Sequence, residues 1–280
     1  MLNLQDISEL TALRHVLHRH PELSREERET ATRVAAELGL LQPDQLITGL
    51  GGHGLAAVFE SGRPGPALLF RCELDALPIP EISEAPYRSS IDGKAHLCGH
   101  DGHMAILLGL ARLLARKRPA MGRVILLFQP AEEDGSGAAA VIGDPKFAHL
   151  RPDWAFSLHN MPGCTLGSCW LAPGPVNCAS VGMKITLEGK TSHASQPEKG
   201  VSPALVLARL IPALGGLGKG GPLGPGYRLA TLTHAALGAP AFGVSPGHAE
   251  IWVTLRTMTD APMAEMRNAA EALVKAEAAA

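Results

Sequence analysis

The chain has 280 residues, 46% of them hydrophobic and only 4% aromatic, enough to bury a substantial core and long enough for two domains. Its 25 basic and 27 acidic residues nearly balance. With no long basic run and no apolar membrane span, nucleic acid and membrane are not expected as partners. The opening MLNLQDISEL carries neither a basic n-region nor an apolar h-region, and the five cysteines are an odd count. Both features lead us to expect reduced thiols and a cytoplasmic protein.

Asp6-x-x-Glu9 and Ser24-x-x-Glu27 read as capping boxes ahead of two amphipathic helices separated by Pro21. The second helix is expected to run to about Leu38 and stop at Gly39. His15, His18 and His20 are read as solvated residues at a polar helix end. LAAVF (55–59) and ALLFRCEL (67–74) read as buried strands, with Cys72 in the core. GHMAILLGLARLLARK (102–117) has helical spacing, and RVILLFQP (123–130) and DWAFSLHN (153–160) are further strands. Strands alternating with helices predict an α/β fold with a mostly parallel sheet and helices on both faces.

The pattern changes after about Pro175. VGMKITLEG (181–189) reads as a strand, PALVLARLIPAL (203–214) as a helix, then come two strands (227–237 and 248–258) and a helix from about Pro262. That order, β-α-β-β-α, is a ferredoxin-like split βαβ unit without its last strand. The expected division is 1–177 and 178–280. The ending AEALVKAEAAA has no cap and no closing strand, so the sequence reads as an incomplete one.

Polar residues gather at the expected C-terminal strand ends, where open α/β sheets bind ligands. Asp75 follows one strand, Glu132 and Glu133 follow a second, and His159 ends a third, while HLCGHDGH (96–103) precedes a helix. Cys98 and His100 form a C-x-H pair, and thiolate with imidazole suits zinc-like cations. Gly99 and Gly102 let the backbone turn tightly there. Adjacent glutamates point apart, so one can bind metal while the other handles a proton. Each piece also has a plain structural reading: an incidental C-x-H, a solvated Glu-Glu pair, a hydrogen-bonded strand-end histidine.

Six stretches then occur in a telling order: HRHPELSREERET (18–30), FRCELDALPIPE (70–81), HLCGHDGHMAILLGLARLL (96–114), LLFQPAEEDGSGA (126–138), LHNMPG (158–163) and GKTSHASQPEKGVSP (189–203). Together they resemble the M20 metallopeptidase family. Within it they are similar to the amidohydrolase branch that includes N-acyl-amino-acid, hippurate and indoleacetyl-amino-acid hydrolases. The resemblance implies a three-layer αβα catalytic domain with an inserted α+β lid that forms a homodimer. It also implies two divalent metal ions, zinc or manganese first, with cobalt or nickel as alternatives. By motif, Cys98 matches the bridging ligand, and His100, Glu133 and His159 match terminal ligands. Glu132 matches the general base and His193 the lid histidine that reaches the other subunit's site and steadies the oxyanion. Arg256 matches a lid arginine for a substrate carboxylate, while Asp75 and His103 support the ligands from behind. The implied substrate is a small N-acyl amino acid.

The sequence departs from the family in two places. The downstream return to the catalytic domain, with one more ligand histidine, is absent, and FGVSPGH (242–248) stands where relatives have an Asn-containing turn. The expectation is weak metal binding and little activity for this length alone. Two alternatives stay open: an aminoacylase- or dipeptidase-like specificity, and a non-catalytic dimerising remnant.

Overall fold

The structure, a computed structural model, describes residues 1–171, 173–174 and 176–279, so Pro175 lies outside the described residues. The chain forms two compact units, Met1–Leu166 and Gly167–Ala280. Among the described residues no helix is long and apolar enough to cross a membrane.

Helix α1 (Leu4–Arg19) begins with a capping box, but its members are Asn3 and Asp6. The Asn3 side chain accepts from the Asp6 amide at 2.9 Å, and the Asp6 carboxylate accepts from the Asn3 amide at 2.8 Å. Asp6 is therefore the inner partner of the box, not its cap. Helix α2 (Arg28–Leu40) has Glu27 at its N-cap with no side-chain cap bond. The expected Ser24–Glu27 box is absent because both side chains are committed elsewhere, as described below. Gly39 sits inside this helix, which continues to Leu40.

A five-stranded sheet follows: β1 (Gln45–Leu50), β2 (Gly54–Glu60), β3 (Ala67–Glu73), β4 (Arg123–Gln129) and β5 (Trp154–Ser157), in the order β1-β2-β4-β3-β5. The β4–β3 and β3–β5 pairs are parallel, while β1–β2 and β2–β4 are antiparallel. The sheet is thus mixed, not mostly parallel. A glycine turn with positive φ at Gly51 and Gly52 reverses the chain between β1 and β2 and makes them a hairpin.

Helix α3 (His100–Arg116) connects β3 to β4. With α1 and α2 it covers one face through Leu17, Leu38, Phe59, Met104, Leu108 and Phe128. Val141 of the short helix α4 (Gly137–Gly143) and Leu150 of the following 3₁₀ turn cover the other face, over Val58, Leu69 and Ile125. This makes three layers with apolar burial on both sides of the sheet. The near-continuous apolar runs of β2 and β4 follow from that double burial.

The second unit holds β6 (Ala179–Glu188), β7 (Ser192–His193), α5 (Ala204–Gly215), β8 (Arg228–Leu237), β9 (Val244–Ser245), β10 (His248–Thr257) and α6 (Asp260–Ala279). Its main sheet has the order β6-β10-β8, antiparallel throughout. Alternation along β10 turns Ala249, Ile251, Val253 and Leu255 inward against α5 and α6. This is the β-α-β-β-α arrangement expected from the sequence.

Candidate metal centre

Because β3, β4 and β5 are mutually parallel, their C-terminal ends open to the same side of the sheet. Asp75 follows β3, Glu132 and Glu133 follow β4, and His159 follows β5. The Cys98–His100 loop joins them from the start of α3. That loop is fixed by the Leu77–Ala95 bridge on its approach. At Gly99 φ is +93°, and a Cβ there would meet the Asn160 side-chain oxygen at 2.5 Å, so glycine is required twice over. Gly102 plays no such part. It lies in the first turn of α3, where a Cβ would have open space and Arg14, at 4.0 Å, as its nearest neighbour.

Among the described residues, three sets of side chains bring metal-binding atoms within 4.8 Å of one another. They are Cys98, His100 and His159; His100, Glu132 and Glu133; and Glu73, His100 and His103. His100 belongs to all three. Its Nδ1 lies 2.8 Å from the Asp75 carbonyl oxygen, so Nδ1 donates and Nε2 keeps its lone pair. Nε2 faces Glu133 Oε1 at 3.7 Å and Glu132 Oε2 at 3.9 Å. His159 is oriented the same way: Nδ1 donates to the Asn160 carbonyl at 2.8 Å, and Nε2 lies 3.2 Å from Cys98 Sγ. Both imidazoles therefore turn a lone pair toward the thiol and carboxylates.

His103 differs. Its Nδ1 donates to Glu73 Oε2 at 2.8 Å, while Nε2 accepts from the Asn160 amide at 3.1 Å and lies 2.8 Å from that residue's side-chain oxygen. With both nitrogens committed, it steadies the segment that carries His159. Glu73 is in turn held by Arg71. Asp75, fully buried, accepts from the Ser24 hydroxyl at 2.7 Å and the Glu133 amide at 2.9 Å. Sequence reasoning singles out neither Glu73 nor Asn160, although each lies within a quoted motif. The available signal for the first is a charged residue closing an apolar strand next to Cys72, and both are buried in the fold.

The charges crowd one another. Burial, and then the Glu133 carboxylate, push the Cys98 thiol up to about 12. Burial and the neighbouring Glu132 and Asp75 carboxylates raise Glu133 against the pull of His100. Burial pulls His100 down, yet its bond to Asp75 and the charge of Glu73 leave it raised. Burial works against Asp75 too, but His100, the Glu133 amide and Ser24 hold it at about 2. Two atoms at the centre, His100 Nε2 and Glu133 Oε1, are buried without a hydrogen-bond partner. Such atoms are costly unless something binds them. Soft sulfur, imidazole nitrogen and carboxylate oxygen around excess negative charge are the donor set of a zinc-like divalent cation. A cation there would lower the thiol and carboxylate pKa values that now rise. The residues fit a divalent metal.

Two candidates fall in the second unit. His193 is exposed on β7, its Nδ1 accepting from the Ser195 amide at 3.1 Å and lying 2.7 Å from the Ser195 hydroxyl. The neutral ring then carries its proton on Nε2. Arg256 is exposed on β10, opposite Ser180 of β6 and Leu229 of β8. Of the N-terminal histidines, His18 is not solvated but buried between Asp101 at 2.9 Å and Glu81 at 3.3 Å. Packing of α1 on α3 draws it in. Cys72 is buried, as expected.

The sequence profile of peptidase family M20/M25/M40 matches residues 69–279. The chain is 40% identical over 211 residues to an N-acetyl-L-cysteine deacetylase of Bacillus subtilis, covering 74% of this chain and 49% of the relative. It is 36% identical over 214 residues to a hippurate hydrolase of Campylobacter jejuni, covering 76% of this chain and 55% of that one. The crystal structure of the Bacillus subtilis YXEP protein, a dinuclear metal binding peptidase, superposes with a TM-score of 0.69 at 28% identity. That match covers 99% of this chain and 72% of the other. The chain spans about half the length of the curated relatives it matches. On the profile match, the identities and the shared fold, this chain belongs to peptidase family M20/M25/M40.

Proposed function

We propose that the protein is part of a metal-dependent amidohydrolase that cleaves the amide bond of small N-acyl amino acids. One observation supports this reading most. Four donors from separate parts of the sequence, Cys98 and His100 of one loop, Glu133 and His159, converge, with the His100 and Glu133 donor atoms buried and unpartnered. The names of the relatives, a deacetylase of N-acetyl-L-cysteine and a hippurate hydrolase, point to the same bond type.

Those four side chains would hold two divalent cations, zinc or manganese. When bound, the cations supply Lewis acidity, polarising the amide carbonyl and making an attacking water more acidic. The chain's own residues do the rest. Glu132, beside the ligand Glu133 and partly open to solvent, takes a proton from the water as its oxygen bonds to the carbonyl carbon. It then delivers that proton to the departing nitrogen as the carbon–nitrogen bond breaks, giving a carboxylic acid and a free amine, which exchange a proton to leave carboxylate and ammonium. Asp75, through its carbonyl, keeps the His100 lone pair facing inward. The family resemblance supports His193, from a second copy in a homodimer, as the donor to the developing oxyanion. It likewise supports Arg256 as the partner of the substrate carboxylate.

Elemental analysis of the purified chain beside Cys98→Ala tests the site, and turnover of N-acetyl-L-cysteine and hippurate by Glu132→Gln tests the base. Wild type is expected to carry about one to two equivalents of metal, lost in Cys98→Ala. Glu132→Gln should keep its metal and lose roughly 10²–10⁴ in kcat. Wild type free of metal after equilibration with zinc or manganese would refute the reading, as would undiminished turnover by Glu132→Gln.

A further inference from the structure

We propose that Glu27 is a positioning residue for the Glu132–Glu133 pair: its carboxylate holds the turn after β4 in the shape that presents both glutamates. This rests on the function proposed above. Glu27 is fully buried. As the N-cap residue of α2 it makes no side-chain bond to its own helix. Its Oε1 instead accepts from the Ala131 amide at 2.6 Å, across 104 positions of sequence.

Ala131 is where the chain needs holding. Its φ is +48°, a left-handed conformation that costs a non-glycine residue and persists only when its surroundings impose it. The turn closes tightly around it: the Gly137 amide donates to the Ala131 carbonyl and the Gly135 amide to the Glu132 carbonyl, both at 2.9 Å. A Cβ at Gly137 would meet the Pro130 carbonyl oxygen at 1.6 Å. Two residues on, the Glu133 amide is taken by Asp75 at 2.9 Å. Glu132 thus lies between two backbone amides, each fixed by a buried carboxylate from a different element. The backbone carbonyl of Asp75 also turns His100, so one of these two residues serves the centre directly. Glu27 serves it through Ala131 alone. Its other oxygen, Oε2, has no hydrogen-bond partner among the described residues. A buried carboxylate with one hydrogen-bonded oxygen is a poor contribution to stability, and it is placed where a strained turn leads into two acidic side chains.

Cobalt(II) binding to the full chain, read from its visible absorption bands, tests this. Glu27→Gln keeps an acceptor oxygen at the same reach and should bind Co²⁺ within a few-fold of wild type. Glu27→Asp keeps the charge but is one methylene too short, and should lose roughly 10- to 100-fold in Co²⁺ affinity. Adding Ala131→Gly to Glu27→Asp should restore most of the loss, since glycine adopts the left-handed turn without strain. A role in packing α2 alone would not be rescued that way. Asp equal to wild type, Gln as damaging as Asp, or no rescue by Ala131→Gly would each overturn the proposal. If Glu27→Asp does not fold, recovery of folding by the double variant carries the proposal, and failure to recover overturns it. No Co²⁺ bound by wild type would remove the metal reading and this inference with it. Tight wild-type binding that Glu27→Asp leaves unchanged would remove this inference alone.

Discussion

Asp75→Asn isolates what one buried charge contributes. The carboxyl is fully buried and accepts from the Ser24 hydroxyl and the Glu133 amide. Burial alone would raise its pKa, yet the His100 ring first, then the Glu133 amide and the Ser24 hydroxyl, win and hold it at about 2, against 3.8 in an unstructured chain. Asparagine keeps the size and one acceptor oxygen but removes the charge. At about 1.4 kcal/mol per tenfold change in acidity, that depression is worth about 2–3 kcal/mol of stability at pH 7. The folded-state pKa is depressed, so the contribution is present above the unfolded value and lost as pH falls toward the folded one. At pH 3 the same linkage leaves about half of that.

Urea unfolding followed by far-UV circular dichroism, with chelator present so that no cation masks the charge, gives the difference directly. Wild type should exceed Asp75→Asn by about 2–3 kcal/mol from pH 7 down to pH 5, and by about half that at pH 3. A gap that stays constant from pH 7 to pH 3 would mean that shape, not charge, fixes Asp75. A gap below about 0.5 kcal/mol at pH 7 would place it with ordinary surface positions and refute the reasoning.

Gly99→Ala must place a Cβ 2.5 Å from the Asn160 side-chain oxygen at a φ of +93°, and should cost about 1–3 kcal/mol, read as a lowered Tm. His18→Gln tests the buried His18–Asp101 pair. The bond to Asp101 raises the His18 pKa against burial, so its stabilisation is fully present below about 6.5 and lost as pH rises through the higher folded value. The urea-unfolding gap between wild type and His18→Gln should therefore shrink on going from pH 6 to pH 9, and a gap that widened would contradict the assignment. Phe128→Ala removes a fully buried ring from the layer between β4 and α3 and should cost about 3–5 kcal/mol by urea unfolding.

What could be read from the sequence was what lies close together in it. The strands at 54–60, 67–73 and 123–129 are apolar runs between turns, and the helix at 100–116 has a clean 3.6 period, so both were legible. Strand β1 was not. QLITGL is short, half-exposed and interrupted by Gly49, and its pairing is set by the glycine turn to β2, which leaves no periodic trace. Missing it left the sheet looking mostly parallel. The His18 reading failed for a related reason: a histidine at a polar helix end looks solvated until another helix packs over it, and Asp101 lies 83 positions away.

The candidate centre divides along the same line. Cys98, His100, Glu132, Glu133 and His159 stand out because ligand chemistry demands particular side chains, and those types are conspicuous beside glycines and apolar strands. The residues that aim them carry no such mark. Ser24 and Glu27 looked like a helix cap because serine and glutamate three apart usually are one. In the fold their side chains turn away from the helix, Ser24 to Asp75 and Glu27 to Ala131, 51 and 104 positions distant. A capping box and a pair of supports for a distant turn share one local pattern. Only the pairing of β3 with β4, which brings Asp75 and the 130–137 turn to the same end of the sheet, distinguishes them. The local rule failed at a point where the side chains answer to a strained turn beside the candidate centre, which is where conflict between local preference and global fold is expected.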